Sequence, residues 1–231
     1  MLKDNALTTV DAVVGAIKMN PHVNATITWN DTDVIDQIER LINMYSADVE
    51  SFTKRSFGIQ TFIEYHTGTN QPYLVLGNSP IRSLESVELI GYNGEITGTL
   101  DVEKMWNELS YRDKNAGMLY FEPHFVSRFS YFGIRPETFA SLRSVRVVYT
   151  AGYILPKDAT DDVDSDLPSE IEGVVIEIAK EKFIKDVDQK RAEGLIQLTE
   201  GNVQRNWGVP GKVLLNTDQK SILKRYKKKV L

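Results

Sequence analysis

The chain has 231 residues, 42% of them hydrophobic and 26% charged, which is enough apolar mass for one large or two small cores without metal or disulfide staples. It contains no cysteine, so disulfides and thiolate chemistry are excluded, and its net charge of −5 argues against broad electrostatic capture of nucleic acid. No apolar run is long enough to cross a membrane, and Met1-Leu-Lys-Asp-Asn5 lacks the basic-then-apolar order of a secretion signal, so an intracellular chain is expected.

In chain order, Thr8-Thr-Val-Asp11 matches a capping box and predicts a short helix with Val10, Val13, Val14 and Ile17 on its buried side, ending at Asn20-Pro21. A linker from Pro21 to Asn30 follows, with Thr26-Ile-Thr-Trp29 as a single extended step. Asn30-Asp-Thr-Asp33 offers caps for a long helix in which Val34, Ile38, Leu41, Ile42, Tyr45, Val49 and Phe52 share one face, with Gly58 placed to end it. From Ile59 to Tyr153 the apolar period changes from 3.6 to 2. Thr61–Tyr65, Tyr73–Leu76, Leu84–Ile90, Met118–Phe121 and Val145–Thr150 read as strands, and Tyr92-Asn-Gly-Glu95 as a tight hairpin turn. The stretch from Glu122 to Leu142 is aromatic and irregular, and predicts an ordered excursion.

After an acidic linker from Asp158 to Asp166, Pro168 suits the first turn of a second large helix reaching about Val187. Its stripe of Leu167, Ile171, Val174, Val175, Ile178, Ala179 and Phe183 is wide enough to cover the first long helix, so the two are expected to share one core despite their separation in sequence. Beyond Gly194 lies a poorly periodic arm with Trp207. A last segment from Asn216 follows, in which Ile222, Leu223, Tyr226 and Val230 have helical spacing and lysines cover the rest.

Residue types that carry chemistry are scattered. Asp162, Asp164 and Asp166 begin like a calcium loop, but Leu167 and Gly173 stand where that loop needs glycine and a bidentate acid, so solvated linker is the reading. His22, His66 and His124 lack metal-ligand spacing, and there is no nucleophile elbow or phosphate-binding glycine loop. No catalytic residue, cofactor or metal ligand is singled out, and an enzyme is not expected.

The order of parts is more specific. A short helix opens on Leu7-Thr-Thr-Val-Asp-Ala-Val13, and a long helix ends in Val49-Glu-Ser-Phe-Thr-Lys-Arg-Ser-Phe-Gly58. A Gln60-Thr-Phe strand, Ser79-Pro-Ile-Arg-Ser-Leu-Glu-Ser-Val87, Val147-Val-Tyr-Thr-Ala-Gly-Tyr153 and Leu167-Pro-Ser-Glu-Ile-Glu172 follow. From Leu7 to Asp188 this arrangement resembles the head-tail connector, or adaptor, family of tailed bacteriophages, and Ser221-Ile-Leu-Lys-Arg-Tyr226 is similar to the short C-terminal helix of many members.

The resemblance implies a small helical bundle; with the inserted antiparallel β subdomain and the extended C-terminal arm ending in a short helix, which make this chain longer than the compact members, the expected class is α+β. The expected divisions are 1–58 and 154–193 for the bundle, 59–153 for the insert and 194–231 for the arm. It further implies a non-enzymatic virion protein, made in the host cytoplasm and placed at the virion neck. There it forms a ring of about twelve copies with itself, binds the portal protein and a stopper or tail completion protein, and surrounds genomic DNA that passes without sequence-specific binding. The expected portal or neighbour-subunit interface is Trp207, Ile222, Leu223, Lys224, Arg225, Tyr226, Lys227 and Lys228, and the expected tail-side or inter-subunit loop is Phe125, Phe129, Tyr131 and Phe132. The competing expectation is a β-domain binding module that grips a glycan or peptide through that aromatic loop.

Overall fold

Apolar stripes spaced for helices and strands become those elements in a computed structural model that describes residues 1–21, 27–29, 31–67, 73–91, 94–120, 143–191, 197–200, 203–206 and 215–228. The helices among them are α1 (Val10–Lys18), α2 (Thr32–Thr53), α3 (Val102–Glu108), α4 (Tyr111–Ala116), α5 (Ser169–Arg191) and α6 (Thr217–Lys224). The strands are β1 (Gln60–Thr67), β2 (Tyr73–Val75), β3 (Ile81–Ile90), β4 (Ile96–Thr99), β5 (Met118–Tyr120), β6 (Arg143–Ala151), β7 (Gln197–Glu200) and β8 (Val203–Asn206). The mixture is α+β, in two units: Met1–Phe57 with Ile154–Lys227, and Gly58–Tyr153 with Lys228–Leu231.

In the first unit the two long helices are partners, as the sequence implies. α2 buries Ile38, Leu41, Ile42, Tyr45 and Val49, and α5 buries Ile171, Val174, Val175, Ile178, Ala179 and Phe183 against it. Each such aliphatic or aromatic side chain contributes roughly 1.5–3 kcal/mol by leaving water. α1 adds Val13 and Ile17, and Trp29 stacks on Phe183 with ring centroids 6.5 Å apart. Polar bonds fix the register: Gln37 donates to Asp186 at 3.5 Å, Thr8 to Glu172 at 3.0 Å, and the Leu7 N–H to Ser46 at 3.0 Å. The buried Tyr45 hydroxyl has no hydrogen-bond partner among the described residues. Burial, followed by the charges of Asp48, Asp186 and Glu181, pushes its pKa up to about 12, so it stays neutral.

Several boundaries differ from expectation. Thr9 rather than Thr8 caps α1, accepting from the Ala12 N–H, which leaves Thr8 free to reach Glu172. α2 ends at Lys54 in the left-handed region (φ 53), not at Gly58. The Glu50 carbonyl accepts from the Lys54 and Arg55 N–H groups while its carboxylate accepts from Ser56 and Phe57, so a side chain turns the chain where glycine was expected. Asp31 caps the start of α2, within the expected cluster. Pro168 precedes α5 and supplies a carbonyl to Ile171 and Glu172, and the helix runs on to Arg191. The arm expected to be extended contains the antiparallel strand pair β7 and β8. Residues 27–29 form no strand, and the rest of that expected step lies outside the described residues.

The second unit is built on an antiparallel sheet in the order β1-β6-β3-β4, with β2 and β5 paired separately. Val87, Val147 and Tyr149 on one sheet face pack with Met105 and Leu109 of the α3 segment and with Leu119 of β5. The expected hairpin joins β3 to β4, with the Gly91 N–H bonded to the Glu95 carbonyl and Gly94 at φ 82; residues 92 and 93 lie outside the described residues. α3 and α4 were not expected. Asp101 caps the first, and Ser110 with Asp113 forms a capping box on the second, which ends at Gly117 (φ 72).

Two of the segments quoted for the family resemblance, Ser79–Val87 and Val147–Tyr153, meet each other. The Gly152 N–H donates to the Pro80 carbonyl at 3.0 Å, Arg82 Nε donates to the Gly152 carbonyl at 2.8 Å, and Tyr153 bridges to Gly58. Gly152 holds φ 129, and a Cβ there would lie 2.3 Å from the Gly58 oxygen, so only glycine fits where the chain enters and leaves the unit. Gly173 in α5 has nothing within 4 Å of such a Cβ. Gly152→Ala should therefore lower the urea midpoint sharply, by more than about 2 kcal/mol of strain and collision. Gly173→Ala should raise stability by roughly 0.5–1 kcal/mol.

Candidate functional site

The C-terminal helix is held by its own cap and by α2 and α5. Asn216 and Gln219 form a capping box, and buried Gln219 also donates to Glu177 at 3.0 Å. Leu223 is fully buried, and α6 packs on both long helices. Arg225 reaches Glu170 at 3.3 Å, the Tyr226 hydroxyl donates to the same carboxylate at 2.8 Å, and the Lys227 ammonium sits 4.6 Å from the centre of the Phe52 ring. The structure thus brings Leu223, Arg225, Tyr226 and Lys227 onto the chain's own bundle. Ile222 is half-buried and Lys224 exposed. Trp207, Phe125, Phe129, Tyr131 and Phe132 lie outside the described residues.

A second cluster, not foreseen from the sequence, lies in the β unit. Strand alternation puts Thr61, Ile63 and Tyr65 on the exposed side of β1 and Phe62, Glu64 and His66 on the inward side. Phe62 packs on Tyr149, ring centroids 5.6 Å apart. Glu64, two residues on, is left among polar groups: its Oε2 accepts from the Gly77 N–H at 2.9 Å and from His66 Nε2 at 3.0 Å, and its Oε1 from Asn78 Nδ2 at 3.0 Å. Lys228 Nζ lies 3.6 Å from Oε1. Burial alone would raise the Glu64 pKa, but the bonds from His66, Gly77 and Tyr149, with the Lys228 charge, outweigh it and hold the group at about 2. An ionised carboxylate only accepts, so His66 Nε2 carries a proton. The Tyr149 pKa is pushed upward by burial and then by the Glu64 charge, which keeps its hydroxyl a donor.

This arrangement can bind a cation. It offers no nucleophile beside a free base, since the imidazole nitrogen facing the carboxylate is a donor to it. Among the described residues no group of three His, Asp or Glu side chains is placed to hold a metal ion, and no helix is long and apolar enough to cross a membrane. The Asp166 carboxylate of the acidic linker accepts from the Ile154 N–H at 2.7 Å. Nothing local in the sequence marks Glu64, because its partners Gly77 and Asn78 are 13 and 14 residues away and Lys228 comes from the far end of the chain.

No protein-family profile matches the sequence, and no curated protein matches it. Among solved structures the chain is similar to one described as the neck of an empty GTA particle computed with C6 symmetry. That similarity has 12% identity and a TM-score of 0.44, and it covers 100% of this chain and 97% of the other. A likeness at that level assigns no function.

The Glu64 network has a pH signature. Its folded-state pKa of about 2 lies below the ordinary 4.5, so its stabilisation is complete above pH 4.5 and is lost as pH falls toward 2. Glu64→Gln should cost about 1–3 kcal/mol at neutral pH, by removing a buried charge-assisted acceptor, and should flatten the decline between pH 4.5 and 2. Urea midpoints of both proteins across that range measure it; parallel declines would contradict the assignment.

Proposed function

We propose that this chain is a structural neck protein of a tailed phage or phage-like particle, an adaptor that forms a ring on the portal, extends the DNA channel and meets a stopper or tail completion protein. One observation carries the reading. Helices from the two ends of the sequence form one bundle, the β unit lies between them in the chain, and two of the segments quoted for the resemblance, Ser79–Val87 and Val147–Tyr153, are hydrogen-bonded to each other within that unit. The α+β mixture and the pairing of the two long helices support the reading, and the proposed role is geometric.

Physical chemistry favours the same role. A ring closes when one patch meets a different patch at a fixed rotation, which demands a rigid subunit, and the α1–α2–α5 core supplies it. A net charge of −5 suits the wall of a conduit, because it repels DNA phosphates and spares the passing duplex strong capture. The exposed face of α6, with Lys220 and Lys224, is the proposed portal-facing surface, while Leu223 anchors it. Copy number, channel lining and roles in DNA packaging and ejection follow from this reading as proposals.

Sedimentation and electron microscopy of the protein with and without its portal test it. Ring-shaped particles with a central hole, formed on the portal, are the expected result. Monomers in both samples would overturn it.

A further inference from the structure

Glu64 is an inward-facing acid on a strand position flanked by core, 14% exposed, and five donors converge on it: the Gly77 N–H, Asn78, His66, Tyr149 and Lys228. Four belong to the sheet and its adjoining turn. The fifth, Lys228, follows α6 and is the more exposed of the pair it makes with Glu64, 39% against 14%. The space it occupies exists because residue 77 is glycine. A Cβ there would lie 2.5 Å from Lys228 Cε, 2.8 Å from its Nζ and 2.7 Å from Glu64 Oε1. Residue 77 is not held at a positive φ, so the backbone does not itself require glycine. What the missing side chain provides is a slot, lined by bare backbone and closed by a carboxylate, of the width of a lysine stem.

We propose that Glu64, Gly77 and Asn78 form a receptor notch for the lysine of a basic peptide tail, filled in the free subunit by its own Lys228 and open to the same tail of a second copy. The chemistry suits a primary ammonium. A compact point charge with three donors can approach one carboxylate oxygen end-on, whereas the planar fork of arginine gains most where both oxygens are open, and Oε2 already accepts from Gly77 and His66. The carboxylate is held ionised and aimed before the ligand arrives, so little ordering opposes binding. Within one chain the tether gives the tail an effective concentration in the millimolar range, enough to fill a site of modest intrinsic affinity. Where many copies lie side by side, a neighbour's tail meets the same notch at comparable concentration. The notch concerns a contact found within a single chain, so it stands or falls apart from the adaptor reading.

The test uses the full chain. In ¹⁵N-labelled Lys228→Met protein the notch is vacant, and a synthetic peptide of residues 224–231 should shift the Gly77, Asn78 and His66 amide resonances saturably, with a Kd on the order of 1 mM. Native protein, whose own tail competes at millimolar effective concentration, should respond about two- to tenfold more weakly. A peptide with its lysines acetylated should produce no shift. Adding Gly77→Ala to the Lys228→Met protein should abolish binding, because the new methyl group would lie where the lysine stem enters and 2.7 Å from Glu64 Oε1; its melting curve, compared with that of Lys228→Met alone, reports the separate cost of displacing the carboxylate. Equal binding of the acetylated peptide, or undiminished binding to the Gly77→Ala protein, would overturn the notch. Mixing Lys228→Met protein with Glu64→Gln protein separates the two sources of the tail. Association seen only in the mixture is the expected sign of exchange between copies, and its absence would restrict the occupant to the chain's own tail and overturn the second half of the proposal.

Discussion

The packing of α2 on α5 is the contact on which the first unit depends. Each helix presents one apolar stripe that would otherwise face water, and neither α1 nor α6 buries enough to stand without that pair. The contact is made across an intervening β unit, which is less costly than the separation suggests: loop-closure entropy grows only with the logarithm of length. The insert also returns the chain to where it left, through the bridge between Gly58 and Tyr153 and the bonds of Pro80 and Arg82 to Gly152. A unit whose ends are pinned together behaves as a short loop toward the bundle that carries it.

What could be read from the sequence follows from the range of the forces involved. The stripes of α2 and α5 were legible because burial acts on many residues at a fixed period, and the strands of the β unit because alternation does the same. Boundaries were less so, since a cap is a single residue. Thr8 and Thr9 are equivalent on paper, and only the distant Glu172 draws the first away from the helix start. Lys54 adopts a conformation that glycine favours because the Glu50 side chain and the buried Phe57 hold the turn from both sides. The signals for α3 and α4, Asp101, Ser110-x-x-Asp113 and Gly117, were present but lay in short segments without an apolar period long enough to stand out.

The candidate sites divide in the same way. The basic, helical character of residues 217–228 was evident, but that Leu223 is spent on the subunit's own core and Arg225 and Tyr226 on Glu170 depends on tertiary structure. The Glu64 cluster was not legible at all: an acid at an inward strand position looks like a misplaced surface residue until Gly77, Asn78, His66 and Lys228 are assembled around it. In both, charged side chains find partners that are distant in sequence, so the fold and not the local pattern decides which of them pair.

Native-state hydrogen exchange tests the central packing most directly. If α2 and α5 form one cooperative core, amides of Ile42 and Val49 in the first and of Val175 and Ile178 in the second open together, with the same free energy and the same dependence on denaturant. Exchange of α5 at a lower free energy, while α2 remains protected, would show that the two helices do not depend on each other and would contradict the account.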